Sequence, residues 1–197
     1  MTLSRTTLTD PKALRGYAHP LRMKLLGLLR VHGPLTATQA AAHLRESVPN
    51  CSFHLRQLAK YGLAERTPGT DGRERPWRPT AQVTSWDSGS EDPDLRAAAA
   101  ILESALLDQY LQRAQAFLAR RDGETPQWRA ATQFSDALVE VTAAELVDLL
   151  AKIDALLAAY EQRRTDPSTR PPGTRTISLI RMAIPADETS GAQTDGG

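Results

Sequence analysis

The stretch that decides the fold is Ser47-Val48-Pro49-Asn50-Cys51-Ser52-Phe53-His54-Leu55-Arg56-Gln57-Leu58. Ser47 is suited to the N-cap of a helix, and Pro49 is tolerated in the first turn. Cys51, Leu55 and Leu58 follow at i, i+4 and i+7, which places them on one apolar face. Gly62 suits the left-handed position that ends a helix. The sequence therefore predicts a helix over 47–61 with one buried and one outward face.

Three further helices are predicted upstream of this stretch. Asp10-Pro11 and His19-Pro20 each combine a capping residue with a proline suited to the first turn. The second of these helices carries leucines at helical spacing and ends at Gly33-Pro34. Thr36-Ala37-Thr38-Gln39 fits a capping box, which predicts an Ala-rich helix to about Arg45.

A hairpin is predicted downstream of the stretch. Residues 63–66 and 75–79 have the composition of two short strands, and the turn formers Pro, Gly and Asp lie between them. The order helix, helix, tight turn, helix and hairpin is that of a winged helix-turn-helix. We expect this domain over residues 10–84, with the hairpin 63–79 as its wing.

The remaining chain predicts a second, helical domain over residues 92–185. Residues 84–92 have the composition of a linker, and long apolar stripes predict helices over 93–121 and 142–163. Alternating residues over 128–141 and 177–184 favour strands that would form a small sheet against the helix 142–163. Residues 1–9 and 186–197 are expected to be flexible tails. The predicted fold class is mainly α with a small β component (α+β).

Charge is unevenly distributed along the chain. Residues 1–80 hold thirteen Lys or Arg and five Asp or Glu, a net charge of +8. Residues 81–197 hold eleven Lys or Arg and eighteen Asp or Glu, a net charge of −7. This asymmetry indicates nucleic-acid binding by the basic part. Two domains that simply differ in isoelectric point are the alternative.

The cysteine content and the apolar runs bear on location. Cys51 is the single cysteine, so no intramolecular disulfide forms, and a reducing cytoplasm is expected. No apolar run reaches the length of about 20 residues that spans a bilayer, and no signal peptide is evident. We expect no membrane association.

The outward face of the helix 47–61 is the predicted DNA-binding surface. Its side chains can read bases, since Asn pairs with adenine, Arg with guanine and apolar groups with the thymine methyl. Ser and His can bind phosphates, although His54 has internal packing as an equal alternative. The wing adds arginines. The candidate DNA contacts are Val48, Pro49, Asn50, Ser52, Phe53, His54, Arg56, Arg73 and Arg75.

The segments His19-Pro20-Leu21-Arg22, Ser47 to Leu58 and Tyr61-Gly62-Leu63-Ala64 together resemble the ArsR-type winged helix-turn-helix regulators over roughly residues 10–80. The resemblance implies sequence-specific binding to double-stranded DNA, with the wing on the backbone or minor groove. Many such proteins sense metals. Here the helix after Thr36 lacks the paired cysteines of that family's thiolate sites, and all four histidines lie in the first 54 residues. We therefore predict no metal site.

These observations predict a regulator of transcription, repressor rather than activator, that binds its operator as a homodimer. The two C-terminal helices are expected to pair the protomers, and the acidic C-terminal part is a candidate for holding a small-molecule effector. No P-loop, dinucleotide fingerprint or nucleophile elbow is present, so neither an enzyme nor a cofactor is predicted. A winged-helix module that binds proteins instead of DNA is the alternative.

Cys51 is interpreted as a core residue, with a redox switch as the less favoured alternative.

Overall fold

Each helix of the N-terminal part begins at a residue whose side chain accepts from its free N–H groups. The computed structural model describes residues 4–67 and 75–186. Asp10, His19, Thr36 and Ser47 are the N-caps, and Thr36 forms the predicted capping box with Gln39. The four helices are α1 (Pro11–Tyr17), α2 (Pro20–His32), α3 (Ala37–Leu44) and α4 (Val48–Lys60).

The turns between these helices also follow the sequence. Gly33 and Gly62 adopt φ of +82° and +69°, which only glycine reaches without strain, so they end α2 and α4 as expected. Gly16 on α1 serves close packing, because a Cβ there would lie 2.3 Å from the Tyr61 ring at the end of α4. The glycine therefore lets α1 and α4 approach each other.

The first four helices bury one stripe each in a common core. Cys51, Leu55 and Leu58 are fully buried on α4, as the spacing predicts. Ala40 and Ala41 on α3 are buried, and their small size permits the close packing of α3 against α4. The buried residues of α2 are Leu21, Met23, Leu25, Leu26 and Leu29.

A hairpin completes the winged helix-turn-helix. β2 (Ala64–Arg66) pairs antiparallel with β3 (Trp77–Pro79). Leu35 adds a bridge to the hairpin: its N–H donates to the Trp77 carbonyl at 2.9 Å, and Trp77 N–H donates back at 2.7 Å. The predicted domain type is thus confirmed. The tip of the predicted wing, residues 68–74, lies outside the described residues.

A second, two-stranded sheet corrects two predictions. Arg5–Leu8 forms β1, and it pairs in parallel with β4 (Val83–Trp86). The first residues are therefore not all a flexible tail, and the predicted linker 84–92 begins inside a strand. The sequence did not indicate β1, because Thr6 and Thr7 are polar and give no alternating apolar pattern. In the structure, Thr7 Oγ1 lies 3.0 Å from Ser85 Oγ on the paired strand. Leu8 is buried in the main core.

α5 (Pro93–Leu118) extends this core rather than starting a separate one. Asp92 caps it as predicted, and its N-terminal half packs on α1. The buried residues of α5 are Leu95, Ala98, Ala99, Leu102 and Leu106. On its other face the helix leaves Leu107 and Leu111 more than half exposed. No helix in the described ranges is both long and apolar enough to cross a bilayer.

The last third differs most from the sequence prediction. It contains α6 (Pro126–Ala131), α7 (Ala143–Ala158) and α8 (Gln162–Thr165), with short 3₁₀ turns at Arg121–Gly123 and Pro167–Thr169. α7 begins at the predicted capping box of Thr142 and Glu145.

The predicted strands 128–141 and 177–184 are wrong. Thr125 caps a helix that begins at Pro126 and continues to Ala131 within the first segment, and the remaining residues of that segment form no strand. Instead, Arg181 of the second segment pairs with Asp154 at 2.5 Å, and Arg175, two residues before the segment, pairs with Glu124 at 2.7 Å. The expected C-terminal sheet is therefore absent from these segments.

Candidate nucleic-acid interface

The packing of the core determines which face of α4 points outward. Its fully buried residues Cys51, Leu55 and Leu58 pack against α2 and α3, so the opposite face points outward. Ser47 Oγ accepts from Asn50 N–H at 3.3 Å, and Pro49 lies in the first turn. The first turn of α4, the part that enters a major groove in helix-turn-helix proteins, is thereby fixed in position.

The outward face carries six of the predicted contacts without burying them fully: Val48, Pro49, Asn50, Ser52, Phe53 and Arg56. Phe53 is 48% exposed and Val48 is 41% exposed, so both side chains present apolar surface to the exterior. Pro49 and Arg56 are exposed, and Ser52 is half-buried beside them. The structure therefore brings together apolar groups that fit a thymine methyl and a guanidinium that fits guanine or phosphate.

Two side-chain hydrogen bonds organise the polar groups of this face. Arg56 Nη1 donates to Ser52 Oγ at 3.0 Å, one turn earlier on α4. Asn50, which is half-buried, donates from Nδ2 to Glu46 Oε2 at 3.2 Å. Both bonds lie at the surface, so the amide and the guanidinium can exchange these partners for bases at little cost.

His54 takes the internal alternative. It is only 7% exposed, and its ring lies 4.4 Å from the His19 ring between centroids. Its Nδ1 is 3.5 Å from Arg22 Nη1, and Arg22 also donates to the Gly16 carbonyl. Burial lowers the pKa of His54, and the neighbouring His19 and Arg22 lower it further. The structure thus places His54 beneath the outward face instead of on it.

The same contacts explain the motif His19-Pro20-Leu21-Arg22. His19 Nδ1 accepts from Leu21 N–H at 3.2 Å and so caps α2. Arg22 joins α1 to α2 through the Gly16 carbonyl and reaches the His54 ring. The motif therefore positions the helices that support α4, which the sequence alone did not indicate.

The wing also carries arginines. Arg75 is exposed at the described end of the hairpin, whereas Arg73 lies outside the described residues. Arg78 pairs with Glu65 across the strands at 2.8 Å, and the Arg66 guanidinium lies 4.6 Å from the centroid of the Trp77 ring. Among the wing arginines that the structure describes, Arg75 is exposed and has no ion pair with a carboxylate.

Two residues of the α3–α4 turn were missed from the sequence. Arg45 adopts φ of +54°, a left-handed conformation that is unusual for arginine, and its side chain is exposed. Glu46 holds the Asn50 amide. Two adjacent charged residues directly before the Ser47 cap are the signal that could have identified them.

Cys51 and the histidines do not form a metal site in the part of the chain described. Cys51 is fully buried, and burial raises the pKa of its thiol. Within residues 4–67 and 75–186, no group of three or more His, Cys, Asp or Glu side chains is arranged to hold a metal ion. The fully buried position of Cys51 agrees with its interpretation as a core residue.

Comparison with known families finds one match that coincides with this geometry. A family model described as "Helix-turn-helix domain" matches residues 17–67, about a quarter of the chain. The matched range contains α2, α3, α4 and the first strand of the wing. A comparison with curated proteins finds no match.

Solved structures supply more distant similarities. A MarR family transcription regulator is 18% identical, with 75% of this chain and 78% of that chain covered at a TM-score of 0.34. Wild-type MarR from E. coli in its apo form is 18% identical, with 74% of this chain and 87% of that chain covered at a TM-score of 0.32. A mutant of S. aureus MepR bound to an oligodeoxyribonucleotide is 14% identical, with 76% of this chain and 88% of that chain covered at a TM-score of 0.30.

Proposed function

We propose that this chain regulates transcription by placing the outward face of α4 in the major groove of a specific DNA site. The observation that carries the proposal is the position of that face on a helix-turn-helix. Exposed Phe53 and Val48 lie there beside Arg56 and Asn50, on a rigid helix whose other side is fully buried. Apolar and hydrogen-bonding groups in this combination suit base edges better than water. Arg75 on the wing, and Arg73 as a sequence prediction, are proposed phosphate contacts.

We further propose that the protein acts as a homodimer of the ArsR type. Helix-turn-helix proteins gain affinity and specificity when two recognition helices enter successive major grooves. The C-terminal helices are the proposed interface, because exposed leucines on them lack the cover that water-soluble monomers normally give to large apolar surfaces. Leu111 on α5 is 56% exposed and Leu156 on α7 is 71% exposed.

The mode and setting of regulation follow from this proposal. A dimer bound over its operator excludes other proteins from that DNA, so we propose repression. A small-molecule effector held by the C-terminal part would modulate the repression. We also propose a cytoplasmic location, because a chain with a single cysteine suits a reducing compartment.

The DNA proposal is tested by substituting one outward arginine and one distant arginine. Selection of bound fragments from genomic DNA supplies the operator. Arg56→Ala is expected to weaken operator binding roughly tenfold or more, since it removes a charged contact to a base or phosphate. Arg121→Ala removes the same charge from an exposed 3₁₀ turn and is expected to leave binding unchanged.

Salt titration of the same binding separates DNA binding from a protein-only function. Each lost phosphate contact is expected to reduce the slope of log affinity against log salt by about one. Equal affinities for wild type and Arg56→Ala would refute the assignment of Arg56. An absence of salt-dependent duplex binding by the wild type would instead favour the protein-interaction module.

The dimer proposal is tested by sedimentation of full-length variants. Deleting the C-terminal part would also remove α5 from the core, so point changes on exposed faces are the cleaner perturbation. Leu111→Asp and Leu156→Asp each place a charge on the proposed interface and are expected to shift the protein towards monomer. Val31→Asp changes a residue of α2 that is 49% exposed and serves as the matched control. A dimer that withstands both leucine changes would contradict the assigned interface.

A further inference from the structure

His54 lies at the contact between α4 and the start of α2. Its side chain is buried, and the centroid of its ring is 4.4 Å from that of His19, the N-cap of α2. One turn later on α2, Arg22 places Nη1 at 3.5 Å from His54 Nδ1. On α4 itself the ring of Phe53 meets His54 edge-on, with 5.1 Å between the centroids. His54 therefore connects α2 to a residue of the outward face.

The hydrogen bonds of this contact require both imidazole rings to be neutral. A guanidinium group only donates, so His54 Nδ1 must accept from Arg22. His19 Nδ1 accepts from Leu21 N–H at 3.2 Å and so caps α2. A proton on either Nδ1 would leave two donors facing each other, and the hydrogen bond would be lost.

The charged groups around the two rings also favour the neutral state. Among the described residues, neither ring has a carboxylate within ion-pair distance. Burial lowers the pKa of His54, and His19 and Arg22 lower it further. Glu46 of the turn before α4 raises that pKa, but its Oε2 already accepts from Asn50. Burial and the charge of Arg22 likewise lower the pKa of His19.

Arg22 is held in place on the side away from His54. Its Nε donates to the carbonyl of Gly16 near the end of α1, and Gly16 packs against the ring of Tyr61. Tyr61 follows the last residue of α4, so Arg22 is tied to the same helix-packing contact at both of its ends. A charge added to His54 would therefore be relieved by movement of the His54 ring and of α4 with it.

We propose that the contact of His54 with His19 and Arg22 is a pH-sensitive support of α4, and that proton uptake by His54 weakens DNA binding in mildly acidic conditions. Neutral His54 holds α4 against α2, whereas charged His54 is repelled by Arg22 and releases the helix that carries Phe53. This inference rests on the proposed recognition of DNA by α4, and it adds the proton as a signal that regulates that recognition.

The sign of the effect separates this support from general electrostatics. Protonation of exposed histidines such as His32 and His43 adds positive charge, which strengthens the attraction to phosphates as pH falls. The proposed support has the opposite consequence, because the cation forms beneath the recognition face and disturbs its position. Weaker binding at lower pH is therefore the specific expectation.

Operator binding by the full-length protein at about pH 7.5 and about pH 5.5 tests the proposal. Ionic strength is held constant, and the temperature is one at which circular dichroism shows a folded protein at both pH values. The wild type is expected to bind about threefold or more weakly at the lower pH. His54→Gln, whose side chain does not titrate, is expected to lose this ratio between the two affinities. His43→Gln removes an exposed histidine that stacks on His32, and it is expected to retain the ratio.

An NMR titration of wild-type His54, free and bound to the operator, measures the same link from the side of the proton. Because the coupling between two binding events is reciprocal, bound DNA is expected to lower the pKa of His54. A His54 titration that DNA leaves unchanged would overturn the proposal. Wild-type binding that is equal or stronger at the lower pH would do the same, as would a ratio retained in His54→Gln. If the wild type binds no duplex DNA at either pH, the proposed function itself is refuted.

Discussion

Replacing Leu102 by alanine tests whether α5 belongs to the core of the winged helix. Leu102 is fully buried in the cluster that also contains Leu14 of α1. Truncating a buried leucine to alanine costs about 2–5 kcal/mol, through lost transfer free energy and the cavity left behind. Leucine and alanine have similar helix propensities, so this cost reports packing. We expect Leu102→Ala to lower the free energy of unfolding by about 3 kcal/mol, and Tm by roughly 6–12 °C.

The matched control is Leu107→Ala, on the same helix but 52% exposed. In the monomer, Leu107→Ala is expected to lower the free energy of unfolding by about 0.5 kcal/mol or less, as surface substitutions do. Urea unfolding at several protein concentrations is the assay, because stability that comes from a dimer falls on dilution. The deficit of Leu102→Ala is expected to persist at every concentration. A cost below about 1 kcal/mol for Leu102→Ala, or one equal to that of Leu107→Ala throughout, would refute the shared core.

Three further predictions concern the buried side of α4 and the start of α3, which packs against it. Because the pKa of buried His54 lies below its unfolded value of 6.5, the unfolded chain binds the proton first. Thermal stability is therefore expected to fall as pH decreases below about 6.5, less steeply in His54→Asn than in the exposed control His43→Asn. Fully buried Cys51 is expected to resist iodoacetamide until the protein unfolds, and rapid alkylation under native conditions would contradict its burial. Thr36→Ala removes the hydroxyl that accepts from Gln39 N–H at the start of α3, and denaturant unfolding is expected to show a loss of about 1 kcal/mol in the free energy of unfolding.

The local signals that the sequence carries strongly were the ones that predicted structure correctly. Each proposed cap from Asp10 to Ser47 accepts a backbone hydrogen bond, because capping depends on neighbours within one turn. The buried face of α4 followed from the spacing of Cys51, Leu55 and Leu58. Interactions of this kind involve few residues and little chain entropy, so they can be identified without the tertiary structure.

The failed predictions depended on distant partners. β1 exists because Arg5–Leu8 finds Val83–Trp86, and the pattern Arg-Thr-Thr-Leu gives no sign of that partner. The alternating segments 128–141 and 177–184 lacked strands to pair with, so alternation alone did not make a sheet. A strand is stabilised by hydrogen bonds to a partner strand that is distant in sequence, so the residue pattern of one segment does not show whether such a partner exists.

The candidate site shows the same division. The outward positions of Val48, Phe53 and Arg56 followed from helical geometry alone. The burial of His54 depended on His19 and Arg22, which come from another helix. The contact of Glu46 with Asn50 depended on the turn between α3 and α4. Residue spacing thus predicts which face of a helix points outward, whereas the contacts of each side chain can be identified only from the packed helices.

The most direct test of the central claim compares the DNA sequences selected by wild type with those selected by Asn50→Ala and Arg56→Ala. The wild type is expected to select an inverted repeat whose half-sites are separated by about one helical turn, 10–10.5 base pairs. Each substitution is expected to relax base preference at one symmetry-related pair of positions while the rest of the repeat is retained. Unchanged preferences in both variants, or no enriched sequence for the wild type, would contradict the claim that α4 recognises DNA sequence.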